Sequence, residues 1–236
     1  TDGDILIAWA LAEAADLWNA PAYADAGAAI AAAIARHLVI DAIGVGPVLL
    51  PASFGFAQSD QPDGPVVNLS YWIFPAFSRL AQLAPAQDWE GVRRSGLAIL
   101  DAIQSQAPAQ VGNWTALAEK KAASPRRFPA KAGYDALRIP LYLAFAPRDN
   151  VGRLARFETM FPAGAPGVPI MDLRSGATDE IAAGRGYRAL AALRACAVGG
   201  QPFPREFYWL GEKEPYYPAT LHALALIAAL VSNSEC

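Results

Sequence analysis

The sequence predicts an all-α fold, an α/α toroid whose loops at one end line a groove, and three observations predict it. About a fifth of the 236 residues are alanine, the residue that favours helix most because it loses no side-chain entropy there and lets helices approach closely. Apolar residues recur at the helical period in several windows. Long loops rich in Gly, Pro and Asp separate those windows, and such loops are uncommon in compact domains unless they carry function. The length suits one domain with a sizeable core. No linker or exact repeat divides the chain, so residues 1–236 are expected to form a single domain.

The elements follow in order. Ile5, Ala8, Trp9, Ala12 and Ala15 share a face of the first helix, with Leu11 and Trp18 at its edge, and Trp9 and Trp18 are read as core rings. Pro21 marks the next helix start, because the first helical position needs no N–H. Ala22 to Leu38 continues that helix, with Ile30 and Ile34 at i,i+4. Further helices are expected over Tyr71–Leu83, Trp89–Ile103, Asp135–Phe145, Asp149–Met160, Thr178–Val198 and Pro218–Ser232, about eight in all. Val39-Ile40 and Val48 to Leu50 could form a minor β hairpin, at most. The long loops are Gly44 to Val67, Gln106 to Gly133 and Ala163 to Gly176.

Composition removes several function classes. With 19 Lys+Arg against 22 Asp+Glu, a net charge of −3 and no basic stripe, nucleic acid is not the expected partner. A 54% hydrophobic, 17% charged chain rich in Trp, Phe, Leu and Ile is not disordered. The longest apolar run, Leu221 to Val231, falls short of the roughly 20 residues a membrane span needs. No basic-then-apolar leader and no Met precede Thr1, so a mature or trimmed product is expected. Cys196 and Cys236 lack CxxC spacing, and with only His37 and His222 beside them no metal site and no cofactor are expected. A Cys196–Cys236 disulfide and a buried Cys196 with an unpaired Cys236 both fit the sequence. The two histidines read as structural. GxxxxGK[ST], GxGxxG, HExxH and GxSxG are all absent. Carboxylates and aromatics remain.

Asp2 and Asp4 stand where the first helix begins. Asp there can simply cap the helix or answer its dipole. It can also point from the helix N-terminus into a groove and bind a sugar hydroxyl or favour developing positive charge. Asp135, in Gly133-Tyr134-Asp135-Ala136-Leu137-Arg138, can likewise be an N-cap, or it can pair with Arg138 three positions on. A guanidinium fixes a carboxylate's rotamer and favours its ionised form, as a base that deprotonates water requires. Phe54, Phe56, Tyr71, Trp72, Trp114, Phe203, Tyr208, Trp209, Tyr216 and Tyr217 read as loop aromatics, on which pyranose faces can stack, or else most of them are core rings. Trp114, after Gly112-Asn113, is the first candidate platform and Trp209 the second.

These residues resemble glycoside hydrolase family 8. Thr1-Asp2-Gly3-Asp4, continuing through Ile7-Ala8-Trp9-Ala10-Leu11 to Trp18, resembles that family's signature, whose first Asp is an active-site residue. Val67-Asn68-Leu69-Ser70-Tyr71 resembles its Asn-Pro-Ser-Tyr segment, with Leu69 in place of proline. Tyr134-Asp135-Ala136-x-Arg138 resembles its Tyr-Asp-Ala-x-Arg, and Tyr216-Tyr217 before the last helix also fits. Within the family, the style most resembles endoglucanases encoded with bacterial cellulose synthases.

The resemblance implies an (α/α)6 barrel, cleavage of β-1,4-glucan (cellulose or cello-oligosaccharides) with inversion, and a periplasmic or secreted location. A functional link to a cellulose synthase complex goes with it. Inverting chemistry uses an acid and a base, with carboxyls roughly 6.5–9.5 Å apart to admit a water. Asp135 maps to the base, Arg138 to its orienting partner, Asp2 to the carboxylate on the central sugar, and Tyr71 to the tyrosine near the reacting sugar. Asp4, Tyr134, Trp114 and Trp209 join them as substrate-binding residues. The family's acid is a glutamate well upstream of the Asp signature. It is expected on sequence before residue 1, with the first helices of the barrel, and Glu13 is a poor substitute. The segment alone is therefore expected to be inactive. Chitosan, xylan or mixed-linkage glucan specificity, or a non-catalytic toroid that binds glucan or a synthase partner, are the alternative readings.

Overall fold

The computed structural model describes residues 1–106, 110–118 and 121–232. Eight α-helices are present among them: α1 (Asp2–Trp18), α2 (Pro21–Leu38), α3 (Phe77–Leu83), α4 (Trp89–Gln104), α5 (Arg138–Leu143), α6 (Pro147–Ala155), α7 (Arg185–Gly199) and α8 (Tyr216–Ser232). Eight short strands complete the order: β1 (Val39–Ala42), β2 (Gly46–Leu49), β3 (Val66–Val67), β4 (Thr115–Ala118), β5 (Lys121–Ala123), β6 (Lys131–Ala132), β7 (Val168–Asp172) and β8 (Thr178–Ala182). The helical reading holds, and the residues separate into two compact units, Thr1–Ile103 with Trp114–Pro129, and Gln104–Asn113 with Ala130–Cys236.

In the first unit α1 packs on α2 and α3. The buried face of α1 is Ile5, Ala8, Ala12 and Ala15, four of the five residues the apolar period places there, whereas Trp9 is half-buried rather than core and donates its indole N–H to Glu13 at 3.1 Å. Pro21 occupies the first turn of α2, and Asn19 in left-handed geometry ends α1. Gly27 faces the Ala8 carbonyl and Leu83, so these helices approach where a side chain is absent. Asp88 accepts the Gly91 N–H at 2.7 Å and so satisfies one of the orphan donors at the start of α4. Trp72 is fully buried, donates its indole N–H to the Val92 carbonyl at 2.7 Å, and lies flat enough on α4 that a Cβ at Gly96 would sit 2.3 Å from its ring. The expected hairpin is β1 paired antiparallel with β2.

In the second unit α7 packs on α8 and α6, and α5 on both α7 and α8. Gly186 is the close-approach point: a Cβ there would sit 1.9 Å from the Pro218 carbonyl oxygen. His222 on α8 is fully buried, with Nε2 2.8 Å from the Phe207 carbonyl and Nδ1 3.2 Å from Glu214 Oε2. A carbonyl only accepts, so Nε2 carries the hydrogen. Glu214 also accepts the Gly186 N–H. These bonds tie residues 207–214 to the starts of α7 and α8, and His222 is structural.

Several boundaries differ from the sequence reading. Two three-stranded antiparallel sheets, β3-β4-β5 and β6-β7-β8, stand beside the expected hairpin. Their strands are two to five residues long and alanine-rich in β4 and β5, too short to show a period of two. The expected helix Thr178–Val198 divides: Thr178–Ala182 is paired with β7, and α7 begins only after Gly184. The expected helix Asp135–Phe145 shortens to α5, because Pro140 has no N–H and must lie in a first turn. Trp18 is 64% exposed rather than core, its ring resting on Tyr23, while Trp72 and Phe203, two of the rings read as loop aromatics, are buried core rings. Glu13 is exposed and pairs with Arg79. The question of a Cys196–Cys236 pair falls on Cys236, outside the described residues.

Candidate active site

The second unit carries Asp135. Strand β6 leads into Gly133-Tyr134-Asp135, a turn that delivers α5, with the Arg138 N–H donating to the Asp135 carbonyl at 3.0 Å. Asp135 is therefore not an N-cap, since Leu137 takes that position. Arg138 Nη2 donates to Asp135 Oδ1 at 2.8 Å. The Arg138 side chain is 11% exposed and that of Asp135 32%, so the guanidinium is the more buried partner and the carboxylate is partly open. A buried guanidinium needs such a partner, because an uncompensated charge there is strongly destabilising.

Other side chains hold the same turn. Asn113 Oδ1 accepts the Gly133 N–H at 2.9 Å and the Ala136 N–H at 3.2 Å. Tyr217, in the first turn of α8, donates its hydroxyl to the Tyr134 carbonyl at 2.8 Å. Tyr134 donates its own to Glu180 Oε1 on β8 at 2.6 Å. Its ring meets Tyr187 at 5.6 Å and Tyr217 at 6.3 Å. The bond to Glu180 and then burial push the Tyr134 hydroxyl up to about 12. Burial raises that of Tyr187 and pushes that of Tyr217 far higher, with Arg138 opposing the latter. At neutral pH all three are un-ionised phenols, and Tyr134 and Tyr217 donate hydrogen bonds. The cluster presents a partly open carboxylate of fixed rotamer among neutral donors, an arrangement able to take a proton from a bound water.

The first unit carries Asp2, Asp4, Tyr71 and Trp114. Asp2 and Asp4 lie in the first turn of α1, where the helix dipole favours negative charge. Thr1 holds the N-cap position, and its hydroxyl bonds the Leu50 and Pro51 carbonyls, so Asp2 is not the cap. Tyr71 ends the 3-10 turn Leu69–Tyr71, which buried Asn68 shapes by accepting from the Ser70 N–H and hydroxyl at 3.0 and 2.7 Å. Trp114 is half-buried, stacked on Phe56 at 5.7 Å, 4.9 Å from Phe128, and edge-on to Tyr71 at 6.4 Å.

Thus the structure brings Asp135, Arg138 and Tyr134 together in the second unit, and Tyr71 with Trp114 in the first. Trp209, of the second unit, follows the 3-10 turn Arg205–Phe207, is 68% exposed, and is 6.0 Å from Tyr208, which stacks on Phe203. Asn113, Glu180 and Tyr187 are the site neighbours that the sequence reading passed over. Their partners lie between 20 and 53 positions away, so no local pattern marks them. A cavity of about 520 Å³ along α7 and residues 161–168 includes none of the sequence-predicted site residues. Among the described residues no cluster of His, Cys, Asp and Glu could hold a metal ion, and no helix is long and apolar enough to cross a membrane.

A chain mostly of helices with a guanidinium-held carboxylate and stacked rings has the equipment of a carbohydrate-active protein. The model of glycosyl hydrolases family 8 matches residues 1–198, and the chain belongs to that family. It is 35% identical over 146 residues to an endoglucanase of Cellulomonas uda, covering 61% of this chain and 40% of that protein. It is 31% identical to a probable endoglucanase of Novacetimonas hansenii over 97% of this chain and 65% of that one. The solved endo-beta-1,4-glucanase of Acetobacter xylinum superposes with a TM-score of 0.81 at 26% identity, over 99% of this chain and 71% of that one. The chain thus spans less than two thirds of the length of both curated relatives.

Proposed function

We propose that the chain is the base-bearing part of an endo-β-1,4-glucanase that cleaves β-1,4-glucan with inversion, in one catalytic domain acting outside the cytoplasm. Similarity to a probable endoglucanase over 97% of the chain carries the reading. The link to a cellulose synthase complex belongs to the same reading. Asp135 takes a proton from a water as that water's oxygen attacks the anomeric carbon. Arg138 holds the carboxylate, and its 2.8 Å bond to Oδ1 supports that role. Asp2 contacts the central sugar, with Asp4, Tyr71, Tyr134, Trp114 and Trp209 as further sugar contacts. The bond from the anomeric carbon to the leaving oxygen breaks as an acid protonates that oxygen. No glutamate of residues 1–236 matches the family's acid, so that proton must come from elsewhere.

Two substrates test this. The 236-residue polypeptide is expected to release no reducing sugar from carboxymethylcellulose, because the leaving oxygen goes unprotonated. It is expected to hydrolyse β-cellobiosyl fluoride, whose carbon–fluorine bond breaks to a fluoride ion that needs no proton, and Asp135→Asn should abolish this. Sugar release from carboxymethylcellulose would show that this segment already holds an acid. Fluoride release surviving Asp135→Asn would remove Asp135 as base, and none from the unsubstituted chain would overturn the reading. Chitosan, xylan and mixed-linkage oligosaccharides, offered in the same assay as binding competitors, decide specificity.

A further inference from the structure

We infer that Asn113 is a positioning residue for the base, gripping the main chain on both sides of Asp135; this rests on the reading of Asp135 as the base. A base on a turn outside regular helix has no i→i−4 ladder to fix its backbone, and α5 starts only at Arg138. The Arg138 bond fixes the carboxylate against its own helix but leaves the approach from β6 undetermined. Asn113 supplies that end. Its Oδ1 uses two acceptor directions on two N–H groups, Gly133 before Tyr134-Asp135 and Ala136 after them. Its own N–H donates to the Lys131 carbonyl at 2.7 Å, which keys residue 113 to the strand leading into the turn.

The residue types fit the task. A Cβ at Gly133 would stand 3.1 Å from Asn113 Nδ2, so the glycine lets the amide close onto the turn. An amide oxygen accepts both N–H groups without placing a second negative charge beside the base. An aspartate would keep the acceptors and add that charge, while alanine leaves both N–H groups without the partner they have here. Tyr217 holds the Tyr134 carbonyl from α8, so without Asn113 that carbonyl bond would remain while the Gly133 and Ala136 N–H groups on either side lost their acceptor. Errors of about an ångström in a reacting group cost on the order of 100-fold in rate. The effect of losing Asn113 should therefore fall on turnover and spare sugar binding.

The test uses the 236-residue chain with β-cellobiosyl fluoride, at a pH above the acidic limb of its profile, and amide hydrogen exchange. Asn113→Ala is expected to lower kcat by about 10- to 100-fold with KM within about twofold, and to speed exchange at the Gly133 and Ala136 amides. Asn113→Asp, which keeps both acceptors, is expected to restore kcat to within about threefold and to restore amide protection. An unchanged kcat in Asn113→Ala overturns the inference, and so does Asn113→Asp being as slow as the alanine variant. If the alanine variant does not fold, the aspartate variant decides by the same threefold criterion. Equal amide exchange in the alanine variant and the unsubstituted chain overturns the inference even if no fluoride is released. Fluoride release that survives Asp135→Asn, beside faster exchange in Asn113→Ala, would instead defeat the base assignment and leave the grip intact.

Discussion

Asp2 and Asp4 in the first unit and Asp135 in the second stand in different local settings. The first two stand in the opening turn of a seventeen-residue helix, where the aligned peptide dipoles act on any carboxylate placed there. Asp135 stands in a turn before a six-residue helix, and its place is set by Arg138 three positions on, by Asn113 from 22 positions before it, and by Tyr217 from α8 gripping the preceding carbonyl. A carboxylate held by a helix end can be recognised from its neighbours in sequence. One held by a turn depends on residues that only the fold assembles, so the second unit should be the more sensitive to distant substitutions.

The glycines at the close approaches sharpen that contrast with the largest expected effect. A Cβ at Gly186 would meet the Pro218 backbone oxygen at 1.9 Å, and neither main chain can yield without separating α7 from α8. Gly186→Ala is expected to destabilise the second unit by about 3 kcal/mol or more in denaturant unfolding. In the first unit a Cβ at Gly96 would meet the Trp72 ring at 2.3 Å. That ring is a side chain, though a pinned and buried one, and Gly96→Ala is expected to cost about 1–3 kcal/mol. Equal midpoints for the two variants would break the comparison.

The rings give the next largest effect. Trp114 is packed against Phe56 and Phe128, whereas Trp209 is 68% exposed. Trp114→Ala is expected to cost about 2–3 kcal/mol, below the full core value because the ring is half-buried. Trp209→Ala should change stability by less than about 0.5 kcal/mol. A role in sugar stacking then predicts weaker cello-oligosaccharide binding by the Trp209 variant at an unchanged melting temperature. Unaltered binding in calorimetry would remove Trp209 from the sugar contacts, and a melting temperature that falls as far as that of Trp114→Ala would erase the distinction between the rings.

What the sequence made legible follows the same division. The buried stripe of α1, the start of α2 at Pro21, the β1-β2 hairpin and the Asp135–Arg138 pair are local patterns, and each is present. Strands β3 and β6 escaped because their pairing joins segments far apart, as in Val66 with Ala116 and Lys131 with Asp172. The local β4–β5 and β7–β8 hairpins escaped because strands of three to five residues show too little of a period of two. Trp18 was misjudged because a ring at the edge of a helical stripe can turn either way. Asn113 was passed over as the residue before Trp114, since its amide bonds to residues 20 and 23 positions on.

The smallest expected effect isolates Tyr134, the ring beside the base. Its hydroxyl is pushed up to about 12, first by donating to Glu180 and then by burial. A phenol whose proton is held more tightly in the folded state stabilises the fold below its unfolded value near 10, and that contribution is lost as pH rises through about 12. The difference in phenolate absorbance between the chain and Tyr134→Phe should therefore show one tyrosine titrating near 12. In a Glu180→Ala background it should move back towards the ordinary value, staying somewhat above it because burial remains. A Tyr134 that already titrates near 10 in the unsubstituted chain would mean that the Glu180 bond does not form in solution. The ring beside Asp135 would then rest on Tyr187 and Tyr217 alone, and the second unit would depend less on distant partners than its turn suggests.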